Sequence, residues 1–222
     1  MKLAFLITTY NRPESLMNLI NEIKDLGDIY VVDDGSDEKL NLPEINYLYK
    51  ENDGKKGFYK TVTALWNMVR DKDYDYYFNL QDDGLPVKNF AYKAIRDYIN
   101  IMDGRKIALN LFREQSRDGR VCWTGFPPLD CGHVIQTQWL DMWFMCERKF
   151  YEVINWEVPE QKRDWESNPD LGSGVGSYIS RYMNRRGYSI YLVKKSLLFS
   201  QESAYQSRMN SGENTKLYKA IM

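Results

Sequence analysis

Cysteine and histidine are scarce in this chain of 222 residues. Its three cysteines, Cys122, Cys131 and Cys146, lie far apart and form no C-x-x-C pair. This spacing excludes a disulfide framework and a cysteine-rich zinc site, and it predicts a reducing compartment, the cytoplasm. The single histidine, His133, excludes a histidine-rich metal centre, and we expect it to be a loop residue rather than a catalytic one.

Long apolar runs and an excess of one charge are also missing. No run approaches the ~18 apolar residues that span a bilayer, so we expect no integral membrane contact. The apolar run at 3–7 is too short for a signal peptide, and polar residues rather than a cleavage site follow it. Lys and Arg total 30 against 31 for Asp and Glu, which excludes a surface that binds phosphates everywhere and allows only a local basic patch.

The composition is that of a folded globular protein, with 43% hydrophobic and 27% charged residues. Short apolar runs alternate with helical periodicity, which predicts βαβ units and an α/β domain with a mostly parallel sheet flanked by helices. The predicted strands are 3–8, 29–32, 45–49, 74–80, 107–112 and 188–193, and the predicted helices follow Pro13 and Gly54 and span 88–102 and 177–186. Residues 113–135 are predicted as loops or a hairpin, 136–154 as a short strand entering a helix, and the chain from Ser200 onward as a polar tail.

Three predicted strands end in polar clusters. These are 8–12 (TTYNR), 33–36 (DDGS) and 81–83 (QDD). Ligands of parallel α/β sheets bind outside the carboxyl ends of the strands, so the three clusters predict one site. Adjacent carboxylates suit Mg²⁺ or Mn²⁺ that bridges the phosphates of a ligand. The glycine-rich phosphate loops that follow the first strand in P-loop and dinucleotide-binding folds are absent.

The segments LITTYNRPESL, IYVVDDGSDE and YYFNLQDDGLP, together with the stretch from Asn52 to Asn67, resemble the family 2-type glycosyltransferases of the GT-A fold in order and spacing. The resemblance covers 3–95 well and 174–200 loosely. It implies a metal-assisted transfer of a hexosyl or pentosyl group from a nucleotide-diphosphate sugar, with Mn²⁺ or Mg²⁺, to a hydroxyl acceptor. The chain is then expected to be one GT-A domain over 1–222, with a nucleotide-sugar-binding half at 1–95, an acceptor half at 96–199 and a tail at 200–222.

The resemblance implies roles for individual residues. Thr8 and Tyr10 match positions that contact the base, usually uracil, and Asp34 matches the residue that accepts its N–H. Lys60 lies within one position of a basic residue that helps to hold the diphosphate. The full set expected to bind the nucleotide-sugar is Thr8, Thr9, Tyr10, Arg12, Asp33, Asp34, Gly57, Lys60, Gln81 and Asp82.

Asp83 is the expected metal ligand. Asp82, beside it, is expected to lie next to the ribose or the metal ion. Two departures from the family pattern affect this centre. The first acid of the usual D-x-D motif is Leu80 here, and a late histidine that often completes the metal shell falls near Ser200 and Gln201.

The catalytic base departs from the pattern as well. The family's Glu-Asp pair before the late helix aligns with Val175 and Gly176, which carry no carboxylate. Asp141 is the first substitute because two tryptophans flank it and lower the local dielectric. Glu166 and Asp170, in the loop before the late helix, are the other candidates, and a retaining transfer without such a base is the alternative.

The acceptor is a hydroxyl compound whose nature the sequence leaves open: a polysaccharide, a glycolipid or modified DNA. A late basic cluster (Arg181, Arg185, Arg186, Lys194 and Lys195) is either a solvated face or a contact for an anionic acceptor. Two other functions compete with glycosyl transfer. One is a nucleotidyltransferase of related fold. Such a protein is expected to have a glycine-rich, basic loop directly after the first strand, where this chain has 10–13 (YNRP). The other is an inactive nucleotide-sugar-binding module, which the missing base favours.

Overall fold

A nine-stranded sheet forms the centre of the protein in this computed structural model, which describes residues 1–112, 129–164, 166–167 and 172–201. The strands are β1 (Leu3–Thr9), β2 (Asp28–Asp33), β3 (Asn46–Tyr49), β4 (Tyr76–Gln81), β5 (Gly84–Pro86), β6 (Lys106–Asn110), β7 (Leu129–Asp130), β8 (Val134–Thr137), β9 (Phe144–Cys146), β10 (Ser189–Val193) and β11 (Leu198–Ser200). The helices are α1 (Pro13–Ile23), α2 (Gly54–Asn67), α3 (Phe90–Ile99), α4 (Arg148–Val153) and α5 (Val175–Arg185).

The strand order in the large sheet is β3-β2-β1-β4-β9-β6-β10-β8-β7. β1 pairs in parallel with both β2 and β4, β2 with β3, and β6 with β10. β9 and β8 are antiparallel to their neighbours, so the remaining strands of this sheet share one direction. The predicted α/β fold with a mostly parallel sheet flanked by helices is confirmed.

Each face of the sheet buries its own apolar core. α1 and α3 cover one face, where Leu16 and Leu19 of α1 pack with Phe90 of α3. α2, α4 and α5 cover the other face, around the fully buried Trp66 and Tyr151. Burial on both faces explains why β1 reads as a continuous apolar run, since all seven of its residues are buried.

The second half departs from the predicted elements in two places. β9 is a separate strand inserted between β4 and β6, where we expected one short strand entering a helix over 136–154. β5 and β11 form a two-stranded antiparallel sheet that was not predicted, because three-residue strands carry little periodic signal. The β7–β8 hairpin agrees with the hairpin alternative for 113–135, as far as the described residues reach.

In the described part of the chain, no helix combines the length and the apolar character that a bilayer crossing requires.

Candidate active site

The structure joins the three predicted polar clusters at one edge of the sheet. The backbone N–H of Asp34 donates to the carbonyl of Thr9 at 2.9 Å, and that of Asp82 donates to the carbonyl of Thr8 at 3.1 Å. The loop after β1 therefore lies between the loops after β2 and β4. This is the arrangement that parallel pairing of β1 with β2 and β4 predicts.

Asn11 fixes the loop after β1 against the loop after β2. Its backbone has a φ of 52°, a left-handed conformation that asparagine tolerates better than most residues. Its N–H donates to Ser36 Oγ at 2.8 Å, and its side-chain oxygen accepts from the N–H of Asp37 at 2.8 Å. A cleft of about 320 Å³ opens beside this contact. It is lined by Thr9, Asn11, Arg12, Pro13, Ser36, Asp37, Glu38 and Leu40.

Asp82 is the buried anchor of the loop after β1. Its Oδ2 accepts from Thr9 Oγ1 at 2.7 Å and from the N–H of Tyr10 at 3.3 Å, and its Oδ1 accepts from Arg12 Nη1 at 3.0 Å. Burial raises the pKa of Asp82, while the bonds from Thr9 and Arg12 act in the opposite direction. The Asp82 carboxylate thus orients the three residues of the first cluster, and its role as a metal neighbour stays a prediction.

Asp83 turns toward β11. Its Oδ2 accepts from Ser200 Oγ at 3.2 Å, and its carbonyl accepts from the N–H of Gln201 at 2.7 Å. Gln201 lies near the position where the resemblance implies a histidine, but its side chain bonds to α1, with Nε2 donating to the carbonyl of Ser15 at 3.2 Å. Within the described ranges, no group of three His, Cys, Asp or Glu side chains is positioned to hold a metal ion.

The two acids after β2 have different surroundings. Asp33 is fully buried and accepts from the N–H of Ser36 at 2.8 Å and from the hydroxyl of Tyr47 at 2.7 Å. Burial, reinforced by this bond, raises the pKa of Tyr47 to about 12. Asp33 therefore holds the turn in shape.

Asp34 is contacted by residues of the segment after β3 and of α2. Its Oδ1 accepts from Lys50 Nζ at 3.0 Å and from Thr61 Oγ1 at 2.5 Å, and its carbonyl accepts from the amide of Asn52 at 2.7 Å. Sequence reasoning missed Lys50 and Thr61 as site residues. The available signal for Thr61 was a polar side chain beside the apolar stripe of α2, where it is fully buried.

The start of α2 brings Gly57 and Lys60 next to Asp53. A Cβ at Gly57 would clash with the side chain of Asp53, so only glycine fits there. Lys60 Nζ lies 3.0 Å from Asp53 Oδ2, and this hydrogen bond raises the pKa of Lys60 and lowers that of Asp53. Both side chains are about half exposed, so the pair is open to a ligand from solvent.

The other predicted donor residues lie at the same sheet edge. Thr8 is buried and pairs in register with Gln81, which is half-buried at the end of β4. The Tyr10 side chain is 47% exposed, unusual for a large aromatic residue, and its ring is therefore accessible for stacking.

Asp141 lies in the loop between β8 and β9. Asn110, at the end of β6, holds this loop: its side-chain oxygen accepts from the N–H of Asp141 at 2.7 Å and its amide donates to the carbonyl of Trp139 at 2.8 Å. Asp141 Oδ1 accepts from the N–H of Met142 at 2.7 Å. Asn110 is a positioning residue that the sequence did not reveal.

The start of α5 is packed against this loop. The N–H of Leu140 donates to Ser180 Oγ at 2.7 Å, and a Cβ at Gly176 would lie 2.8 Å from the carbonyl oxygen of Leu140. Gly176 therefore has no room for a side chain. Glu166 is exposed and Asp170 lies outside the described residues.

His133 lies away from these clusters, with Nε2 3.0 Å from the carbonyl oxygen of Asp97 on α3. This exposed loop position agrees with the expectation from the sequence.

No family model matches the sequence, and no curated protein matches it either. Solved structures do match it in fold. Staphylococcus aureus TarS 1–349 superposes with a TM-score of 0.56 at 12% identity, over 91% of this chain and 61% of that one. This chain therefore spans about three fifths of the TarS fragment.

Two structures of glucosyl-3-phosphoglycerate synthase from Mycobacterium tuberculosis are similar as well. The complex with Mn²⁺ and uridine-diphosphate-glucose has a TM-score of 0.56 at 12% identity, over 99% of this chain and 79% of that one. The complex with phosphoglyceric acid has a TM-score of 0.58 at 13% identity, over 93% and 74%. The fold is thus the GT-A fold of nucleotide-sugar glycosyltransferases, as the sequence motifs implied.

Proposed function

We propose that this protein is a glycosyltransferase that moves a hexosyl or pentosyl group from a UDP-linked sugar to a hydroxyl acceptor in the cytoplasm. The observation that carries the proposal is the junction of Thr9, Asp34 and Asp82 at the carboxyl edge of β1, β2 and β4. Family resemblance in four segments and the GT-A fold support the same reading.

The nucleoside of the donor is assigned to the space between Tyr10 and Asp34. A pyrimidine needs a ring to stack on and a fixed acceptor for its N–H. The half-exposed Tyr10 supplies the ring, and Asp34, held by Thr61, supplies the acceptor. Thr8 and Gln81, which are paired in register at the strand ends, are assigned to the same site, and Asp82 keeps Thr9 and Arg12 in place.

The diphosphate is assigned to the edge formed by Asp83, Arg12 and Lys60. Mg²⁺ and Mn²⁺ prefer oxygen ligands, and Mg²⁺ is often held by one or two carboxylates together with substrate phosphates. Asp83 with the hydroxyl of Ser200 beside it fits such a site, in which the metal enters with the nucleotide rather than into a ready protein cage. When bound, the ion stabilises the charge that develops on the leaving diphosphate. Arg12 and Lys60 supply cationic charge of their own.

The acceptor hydroxyl is assigned to the loop held by Asn110, and Asp141 is proposed as the group that takes its proton in an inverting transfer. Val175 and Gly176 offer no carboxylate, and the contact of Gly176 with Leu140 leaves no space for one. Glu166, which is exposed, and Asp170, which lies outside the described residues, are the second choices. The acceptor itself is a polysaccharide, a glycolipid or modified DNA.

A second function has one observation in its favour. The filled space at Gly176 suits a module that binds a nucleotide-sugar without transferring it. A nucleotidyltransferase has no comparable support.

Release of UDP from a UDP-sugar panel tests the proposal, with Mn²⁺ or EDTA and with no acceptor, because slow donor hydrolysis needs only the donor site and its electrostatics. Wild type is expected to release UDP with Mn²⁺, and Asp83→Ala is expected to be inactive. Donor binding in a thermal-shift assay without any UDP release supports the binding module. The absence of both binding and release refutes the assignment.

A further inference from the structure

Lys50 and Asp34 form an ion pair that family resemblance did not suggest. Lys50 follows β3, and its Nζ lies 3.0 Å from Asp34 Oδ1. The side chains are only 17% and 11% exposed, so this pair is more shielded from water than a surface salt bridge. Because the pair is shielded from water and lies beside the proposed base site, its two charges influence which hydrogen-bonding groups of a base can bind there.

The pair leaves one oxygen of Asp34 for a ligand. Oδ1 receives both Lys50 and Thr61, whereas no described residue donates a hydrogen bond to Oδ2. A ligand N–H that reaches Asp34 therefore meets Oδ2. An ammonium lies on the other side of the same carboxylate, ready to donate to a neighbouring ligand atom.

The Lys50 ammonium has one contact that is readily exchanged. Its three hydrogens serve Asp34 Oδ1 at 3.0 Å, the carbonyl of Glu51 at 2.6 Å and Asp53 Oδ2 at 3.5 Å. The last contact is long, and Asp53 keeps a closer partner in Lys60 at 3.0 Å. A ligand oxygen can take the place of Asp53 without leaving that carboxylate unpaired.

We propose that Lys50 selects the base of the donor nucleotide by donating to a carbonyl next to the N–H that Asp34 accepts. Uracil and thymine have a carbonyl on each side of N3–H, so they match this acceptor–donor pair. The inference rests on the proposed function, because it places the base at Asp34, and it adds a residue that determines which base is bound.

Cytosine fits this pair less well. It has no hydrogen on N3, and its 4-amino group faces an ammonium where uracil offers an oxygen. Guanine has a carbonyl, O6, beside its N1–H, so the pair discriminates against cytosine rather than against guanine. Discrimination by unpaired polar groups of this kind is stronger than discrimination by shape alone.

Titration of wild type, Lys50→Met and Lys39→Met with UDP, CDP and GDP by calorimetry tests the inference. Lys39 is the matched control, since it is an exposed lysine over the ring of Tyr49 in the same β2–β3 region. For Lys50→Met we expect the affinity ratio of UDP to CDP to fall by about 10-fold or more, the effect of one charge-assisted hydrogen bond. Lys39→Met is expected to keep the wild-type ratio.

The outcomes separate the inference from the proposed function. If wild type binds UDP but Lys50→Met keeps the wild-type ratio of UDP to CDP, or if wild type binds CDP as tightly as UDP, the role of Lys50 is refuted and the donor site stands. If wild type binds no nucleoside diphosphate with or without Mn²⁺, the proposed function itself fails. Thermal unfolding of each variant confirms that the comparison is made on folded protein.

Discussion

The replacement of Asp82 by asparagine tests the idea that a buried carboxylate holds the loop after β1. Its two oxygens accept three hydrogen bonds, from Thr9, Tyr10 and Arg12. An amide has one oxygen, so Asp82→Asn loses either the bond from Arg12 or the bond from the Tyr10 N–H.

The magnitude follows from these contacts. A charge-assisted hydrogen bond contributes about 1.5–3 kcal/mol, but Arg12 is 38% exposed and solvent screens part of this. The neutral amide also avoids the cost of burying a charge, which favours the variant. We expect a net loss of about 1–2 kcal/mol in the free energy of unfolding, or about 2–8 °C in Tm for a protein of this size.

The loss depends on pH in a defined direction. Because burial raises the folded-state pKa of Asp82, the native state binds more protons than the unfolded state above the ordinary value of 3.8. The contribution of Asp82 to the free energy of unfolding is therefore largest below its ordinary pKa, and it decreases as the pH rises through the raised pKa. We expect the destabilisation by Asp82→Asn to be larger at acid than at neutral pH.

Urea unfolding at both pH values measures the effect, with Asp37→Asn as the control. Asp37 lies in the adjoining loop but is exposed, so its replacement is expected to stay within about 0.5 kcal/mol of wild type. A variant Asp82→Asn that is as stable as wild type at neutral pH would show that burial of the charge outweighs its three bonds, and the anchoring role would be wrong.

The other predictions concern the proposed activity. Asp34→Ala is expected to abolish nucleotide binding in calorimetry while the fold survives in circular dichroism; a retained tight complex contradicts the base assignment. Asp83→Ala is expected to remove the enhancement of UDP binding by Mn²⁺, and full wild-type activity in EDTA would show that cationic side chains replace the ion. Asp141→Asn is expected to lower kcat by at least ~100-fold with nucleotide binding intact, which is the scale of a lost general base. Near-wild-type turnover of this variant would assign the base to the loop before α5. If, in addition, the product retains the anomeric configuration of the donor, the reaction needs no general base. Gly176→Asp is expected to lower Tm without restoring a base, because the new Cβ meets the carbonyl of Leu140, and a stable, faster enzyme would refute that packing.

The sheet edge could be predicted from the sequence because buried parallel strands are continuous runs of apolar residues. Thr8, Asp34 and Asp82 follow directly from where such runs end, and their meeting needed only the rule on carboxyl ends. The positions of Lys50 and Thr61 against Asp34 depend instead on how α2 and the segment after β3 pack in three dimensions. No periodicity encodes that contact, so a structure was needed to find it.

The region from β6 to α5 was harder to predict for a related reason. β9 is only three residues long, and all three are buried, so its pattern does not distinguish a strand from the start of the following helix. The role of Asn110 arises from a loop that returns beside β6 after a long excursion of the chain. Contacts of high sequence separation leave no local mark on the residues that make them.

The insertion of β9 has a consequence for how the chain folds. β4 and β6 are not neighbours in the sheet; each pairs instead with β9, whose residues come from positions 144–146. Until those residues leave the ribosome, β4 has one open edge and β6 has no partner strand, because β10 comes still later in the chain. Loop closure over such separations is slow and exposes unpaired edges meanwhile. A fragment that ends before Phe144 is therefore expected to aggregate rather than to fold independently, and the two halves of the sheet on either side of β9 are expected to unfold together.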